Sequence, residues 1–171
     1  EKKAKSFIFS SSATVYGDIK ESCVTEETPL GKPLNPYGHT KILGEKILQS
    51  GKQEFKTILL RYFNPVGAHE SAKIGELPNG IPNNLVPYIT QTAAGKREKL
   101  TVFGNDYDSK DGTCIRDFIH VIDLAEAHVA ALDYSENMNE TVDVFNVGTG
   151  QGNTVLELIE TFEKVNNLKL N

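Results

Sequence analysis

Residues 56–64, "KTILLRYFN", decide how this chain is built. Ile58, Leu59 and Leu60 follow one another, so any strand formed here is apolar on both faces. Strands of that kind belong to parallel sheets covered by helices. Upstream, "SFIFSSS" at 6–12 reads as a short buried strand ending in small hydroxyl residues. Between the two, "YGDIKESCVTEETPLGKPLNP" is rich in turn formers. Asn35 can then cap a helix that Pro36 opens. The spacing predicts that this helix runs through "YGHTKILGEKILQS", offers Ile42, Ile47 and Leu48 as a buried stripe, and stops near Gly51. Strand, long excursion, helix, strand is α/β architecture with a right-handed crossover.

Further along, residues 65–84 are rich in Gly, Pro and Asn and show no clear periodicity, the mark of a long functional or disordered loop. A helix is predicted over 85–94, a strand over "KLTVFG" at 99–104, and another over "RDFIHV" at 116–121. Asp123 is expected to cap the helix "LAEAHVAALDY". "VDVFNVG" reads as a strand, and Thr154 with Glu157 forms a capping box for "VLELIETFEKV".

Composition narrows the class. The chain has 171 residues, 39% hydrophobic and 24% charged, as expected of a globular domain. Its apolar runs fall far short of the roughly 18 residues a membrane span needs. "EKKAKSFIFSSS" has too short an apolar core for a signal peptide. The net charge is −5 and the 15 Lys and 3 Arg are scattered, which argues against nucleic acid as a partner. Cys23 and Cys114 are too few for a disulfide framework and are expected to be reduced thiols in the cytoplasm.

"NPYGHTK", residues 35–41, carries the chemistry. A Tyr-x-x-x-Lys match is weak by itself, and Tyr16 with Lys20 makes a second one. There Gly17-Asp18 is a turn signal, so the two side chains would not share a helical face. Tyr37 and Lys41 would, because residues four apart on a helix are stacked neighbours. A free tyrosine titrates near 10, and bringing it to neutrality takes about 4 kcal/mol. A nearby ammonium or a cationic nicotinamide ring supplies stabilisation of that sign. Ser12 ends a strand, where ligands of open α/β sheets bind. Its hydroxyl could pass a proton between Tyr37 and a substrate hydroxyl.

Taken together, "FIFSSSATVYGD", "NPYGHTK", "LLRYFNPVGAH", "GIPNNLVPYI", "VFGNDYDSKDGT", "RDFIHVIDLAEAH" and "NVGTGQGNTV" resemble the UDP-glucose 4-epimerases, within the extended short-chain dehydrogenase/reductase superfamily. The match runs in order from about residue 6 to residue 165. The resemblance implies a Rossmann-like parallel sheet with part of a smaller substrate domain. Residues 1–64 would form the C-terminal half of the NAD-binding domain. Residues 65–171 would largely hold the nucleotide-sugar, with 117–133 and 142–150 packing back on the sheet.

It also implies site residues. The catalytic serine, tyrosine and lysine fall on Ser12, Tyr37 and Lys41, which with Phe63 also lie against NAD. Asn64, Asn84, Leu85, Thr101, Val102, Phe103 and Arg116, beside Ser12 and Tyr37, fall on positions that hold the UDP-sugar. The implied reaction oxidises C4 of the hexose, lets the flat 4-keto sugar turn about its diphosphate, and reduces it on the other face. Arg116 could grip phosphate oxygens in two-pronged fashion. Related 4,6-dehydratases carry an Asp-Glu pair after the serine; here Ala13 and Thr14 stand there, so dehydration is not expected.

The family's opening Gly-x-x-Gly-x-x-Gly turn is not in the sequence. The chain is therefore expected to be part of a longer enzyme and a weak NAD binder alone. Homodimerisation through the Tyr37 helix is expected of the whole enzyme. The alternative is a non-catalytic relative that senses a dinucleotide or sugar; retention of Ser12, Tyr37 and Lys41 together favours the enzyme.

Other signals carry less. "GTGQGN" at 148–153 imitates a dinucleotide fingerprint but has Asn153 for the last glycine and no acidic residue about 20 positions on, so it reads as a tight strand–helix turn. The four histidines have no metal-ligand spacing. "SSSATVYG" is not a nucleophile elbow. "NDYDSKDG" lacks the glutamate of a calcium loop.

Overall fold

A computed structural model of the protein describes residues 3–19, 23–51 and 54–171. Three parallel strands form the main sheet in the order β1–β2–β5: β1 (Ser6–Ser12), β2 (Lys56–Tyr62) and β5 (Val142–Val147). β2 is the middle strand, and its residues Thr57 to Arg61 are all buried, as "KTILLRYFN" predicts. The α/β Rossmann-like expectation holds. Lys20, of the second Tyr/Lys match, lies outside the described residues.

Each face of β2 meets a different helix. Ile58 and Leu60 join a core with Leu124 and Ala131 of α3 (Val121–Asn137), and with Ile119, Met138 and Val147. The alternate residue Arg61 meets α1 (Pro36–Ser50) instead. A smaller core joins Ile42 of α1 to Val15 and Tyr16 of a 3-10 turn, Ala13–Tyr16, that follows β1.

A second, mixed sheet lies beside the first. In it β3 (Asn64–Val66) pairs in parallel with β4 (Ile115–His120), and β4 pairs antiparallel with β6 (Gly152–Thr154). Two further helices complete the fold: α2 (Leu85–Ala93) and α4 (Val155–Asn166). The capping box of α4 forms as predicted. So does the Asn35 cap of α1, whose side chain accepts from the Gly38 amide at 2.8 Å.

Four local expectations need correction. Residues 99–104 do not form a strand; Leu100 donates its amide to the Asn171 carbonyl, and no ladder forms there among the described residues. Asp123 lies inside the first turn of α3, and the cap is His120, whose ring accepts from the Ile122 amide. "GTGQGN" is more than a turn, because β6 begins within it. Finally, Ile47 is 67% exposed, and the buried stripe of α1 is Gly38, Ile42 and Glu45.

Glu45 is fully buried because Arg61 is buried opposite it. The guanidinium and carboxylate pair along two edges, Nε to Oε1 at 3.0 Å and Nη2 to Oε2 at 2.7 Å. Ser11 donates its hydroxyl to Oε1 at 2.5 Å, and Arg61 Nη1 donates to the Tyr16 hydroxyl at 3.0 Å. Burial alone would lower the pKa of Arg61, but bonds to Glu45 and Tyr16 outweigh it and raise it. Breaking such a pair leaves an uncompensated buried charge. Glu45→Gln should therefore cost about 3–5 kcal/mol in urea unfolding. The double change Glu45→Leu with Arg61→Met should recover most of that loss, since no lone charge remains.

Candidate active site

The carboxyl ends of β1 and β2 lie side by side, with Ser12 paired to Tyr62. Ser12 is buried, and its hydroxyl accepts from the Thr14 amide at 3.3 Å, capping the 3-10 turn. Tyr37 stands in the first turn of α1 and is half-exposed. Its neighbour Gly38 explains the approach of that turn to β1. A Cβ there would come within 2.8 Å of Pro33 Cβ and 3.4 Å of the Thr14 carbonyl oxygen. Without a side chain, α1 closes onto the turn that follows Ser12.

Lys41 is one helical turn beyond Tyr37. Its amine sits 5.2 Å from the centre of the Tyr37 ring and 5.4 Å from that of Phe9. It donates to the Ser10 carbonyl at 2.7 Å. The amine lies against the phenol ring, a favourable cation–π placement. Ser12 and Tyr37 are not hydrogen-bonded to each other among the described residues.

Phe63 continues from β2, donating its amide to the Val147 carbonyl at 3.1 Å. Asn64 opens β3, and its side-chain amide donates to the Asp117 carbonyl at 2.9 Å. These two therefore join Ser12, Tyr37 and Lys41 at the strand ends. The remaining candidates are more dispersed. Asn84 precedes α2 and donates to Glu76 at 2.8 Å, with Leu85 the first residue of that helix. Thr101, Val102 and Phe103 lie in irregular chain between α2 and β4, with Phe103 85% exposed. Arg116 is exposed on β4, and its Nη1 donates to the Ile115 carbonyl at 3.0 Å.

Two groups escaped the sequence reading. Tyr37, Lys41 and Glu45 are each four residues apart and share one ridge of α1. The buried Glu45–Arg61 pair thus fixes the face that presents Tyr37 and Lys41. An arginine inside an apolar strand was the available signal, because a buried guanidinium needs a carboxylate. The second group is Tyr62 and His128. The Tyr62 hydroxyl lies 2.8 Å from Ser10 Oγ and 2.6 Å from His128 Nε2, while His128 Nδ1 faces the Leu124 carbonyl at 2.8 Å. A carbonyl only accepts, so Nδ1 carries a proton toward Leu124, while the Tyr62 hydroxyl donates to Ser10 Oγ and its oxygen lies against Nε2. Nothing local in the sequence joins residues so far apart.

A parallel α/β sheet with a tyrosine–lysine helix face at its strand ends defines a protein of the Rossmann-like class. The model of the NAD dependent epimerase/dehydratase family matches residues 1–148, and the chain belongs to that family. It is 57% identical over 165 residues to UDP-glucose 4-epimerase of Bacillus subtilis (strain 168), covering 94% of this chain and 48% of that protein. UDP-glucose 4-epimerase of Haemophilus influenzae is 53% identical over 167 residues, with 96% and 49% covered. Among solved structures, UDP-glucose 4-epimerase from Bifidobacterium longum in complex with NAD+ and UDP matches with a TM-score of 0.90 and 51% identity. That match covers 97% of this chain and 50% of the other. The chain thus spans about half the length of the curated relatives it matches.

Tyr62 offers a test by pH. Burial raises its phenol above the ordinary 10.0, the hydrogen bond with Ser10 opposes, and the nearby Tyr37 adds to the rise. The folded state therefore holds this proton more tightly than the unfolded chain. Its contribution to stability is complete below pH 10 and fades as pH climbs through the folded value. Unfolding midpoints measured on both sides of that pH should fall less steeply for Tyr62→Phe than for the parent.

Proposed function

We propose that this chain is the catalytic and substrate-binding half of an NAD-dependent enzyme interconverting UDP-glucose and UDP-galactose, in galactose metabolism in the cytoplasm. The observation that carries the reading is the Tyr37–Lys41 pair on one face of α1 at the strand ends. The chain in which it stands is 57% identical to a UDP-glucose 4-epimerase.

The side chains at the strand ends suit a nicotinamide riboside. Lys41 offers ammonium donors for ribose hydroxyls, Phe63 an aromatic surface, and Ser12 and Tyr37 hydroxyls. Held there, NAD+ would supply the reversible hydride acceptor for C4 of the hexose. The chain's own residues manage the proton. Tyr37 takes it from the 4-hydroxyl, with the Ser12 hydroxyl as relay, and gives it back after the sugar has turned. The Lys41 charge stabilises the negative phenol oxygen. Asn64, Asn84, Leu85, Thr101 to Phe103 and Arg116 hold the nucleotide, so that the 4-keto sugar can rotate about its diphosphate. Ala13 and Thr14 supply no acid or base beside Ser12, in keeping with epimerisation rather than dehydration.

Residues 1–64 belong to the NAD-binding domain in this reading, and 65–171 largely to the sugar-nucleotide side. The segments 117–133 and 142–150 return to the sheet, as the packing of α3 and β5 supports. The whole enzyme is a homodimer through α1, a reading supported by Leu43 and Ile47 on its outer face. Cys23 and Cys114 are free thiols, which fits a reducing compartment.

The test is an assay with UDP-galactose on the protein expressed from its complete gene. Tyr37→Phe should lower kcat by about 10²–10⁴-fold, the range for loss of a general acid–base group. Equal turnover by parent and variant would remove Tyr37 from the mechanism. No turnover by the parent would favour the sensing relative instead.

A further inference from the structure

The loop "GTG", residues 148–150, has the composition of an anion-binding turn, and it does bind an anion: the carboxylate of Asp117. Thr149 donates to Asp117 Oδ1 twice, from its amide at 2.9 Å and from its hydroxyl at 2.7 Å. The Gly150 amide donates to Oδ2 at 2.8 Å. This carboxylate on β4 therefore ties down the loop that leaves β5.

Two contacts carry that clamp to the strand ends. Gly148 is wedged between Asp117 and Phe63; a Cβ there would stand 2.6 Å from Asp117 Oδ2 and 2.9 Å from the Phe63 ring. The main-chain carbonyl of Asp117 accepts from the Asn64 side chain. Phe63 and Asn64 are consecutive, so the backbone between them is held from the loop side and from the β4 side at once. Arg116, adjacent on β4, projects to the opposite face of the strand.

We propose that Asp117 is a positioning residue for nucleotide-sugar binding, acting through Asn64. This rests on the reading above, in which Asn64 holds the nucleotide-sugar. Asp117 itself does not touch the ligand. Its carboxylate fixes the loop, the loop fixes Phe63 through Gly148, and the carbonyl of Asp117 sets the direction of the Asn64 amide. An asparagine at 117 keeps the shape of the side chain but turns one acceptor into a donor. That donor would then face the Gly150 N–H, and the loop would come away.

Calorimetric titration of UDP-glucose into the Tyr37→Phe protein from the complete gene tests this, since turnover is slowed there. Adding Asp117→Asn should weaken binding about tenfold, the loss of roughly one well-placed hydrogen bond. Asn64→Ala should do the same. Both changes together should again cost about tenfold rather than a hundredfold, because residues acting through one another are not additive. Thr149→Val removes a single hydroxyl donor and should cost about threefold, which keeps the test open if Asp117→Asn fails to fold. A hundredfold loss in the double variant overturns the proposal. So does an unchanged affinity, or a lowered binding stoichiometry at unchanged affinity, which would mark a purely structural role. No binding by the Tyr37→Phe parent would instead sink the sugar-nucleotide reading, and this proposal with it.

Discussion

The pairing of Arg61 with Glu45 is the constraint around which the rest of this structure is arranged. Both groups are buried, and neither could be without the other, since a lone charge in such a place costs far more than one contact returns. A guanidinium presents its donors in a rigid plane, so engaging a carboxylate along two edges fixes orientation as well as distance. Helix α1 thereby loses its freedom to roll over the sheet. The polar groups around the pair extend the fixation. Ser11 brings in β1, and Tyr16 brings in the 3-10 turn while also donating to Asn146 of β5 at 2.6 Å. Strands β1, β2 and β5, helix α1 and the 3-10 turn are tied together around one ion pair.

What this arrangement offers chemistry is a choice of face. The ridge that buries Glu45 lifts Lys41 and Tyr37 toward the strand ends, one turn apart each. Opposite, on the α3 side of the sheet, Ser10, Tyr62 and His128 form a chain of hydroxyls and imidazole. Polar groups thus gather at the carboxyl ends of β1 and β2, while the middles of the strands stay apolar. Parallel sheets concentrate function there because the connections, and not the strand interiors, are free to carry polar side chains.

Signals confined to a few adjacent residues were legible in the sequence. The apolar run of β2, the Asn35–Pro36 helix start and the Thr154–Glu157 capping box each rest on neighbours and came out as expected. The Tyr37–Lys41 pair was legible for the same reason. Features that depend on distant partners were not. Ile47 was an expected core residue, yet it is exposed, and Glu45 is buried on that helix because Arg61 pairs with it. "KLTVFG" has the composition of a strand, yet composition cannot provide a ladder partner. His120 and not Asp123 is the cap because α3 begins directly after β4, which leaves Asp123 inside the first turn. The strand-end part of the candidate site was thus clearer in the sequence than the dispersed residues from Asn84 to Arg116.

The internal carboxylate on the glycine-rich loop carries a consequence for chemical selectivity. A free anion seeking those amides must displace a competitor that never diffuses away, whose effective concentration is at least on the order of millimolar. The amides of Thr149 and Gly150 are thus already engaged within the fold. A loop with the look of an anion receptor therefore serves as an internal fastening, its amides spent on a carboxylate of the same chain.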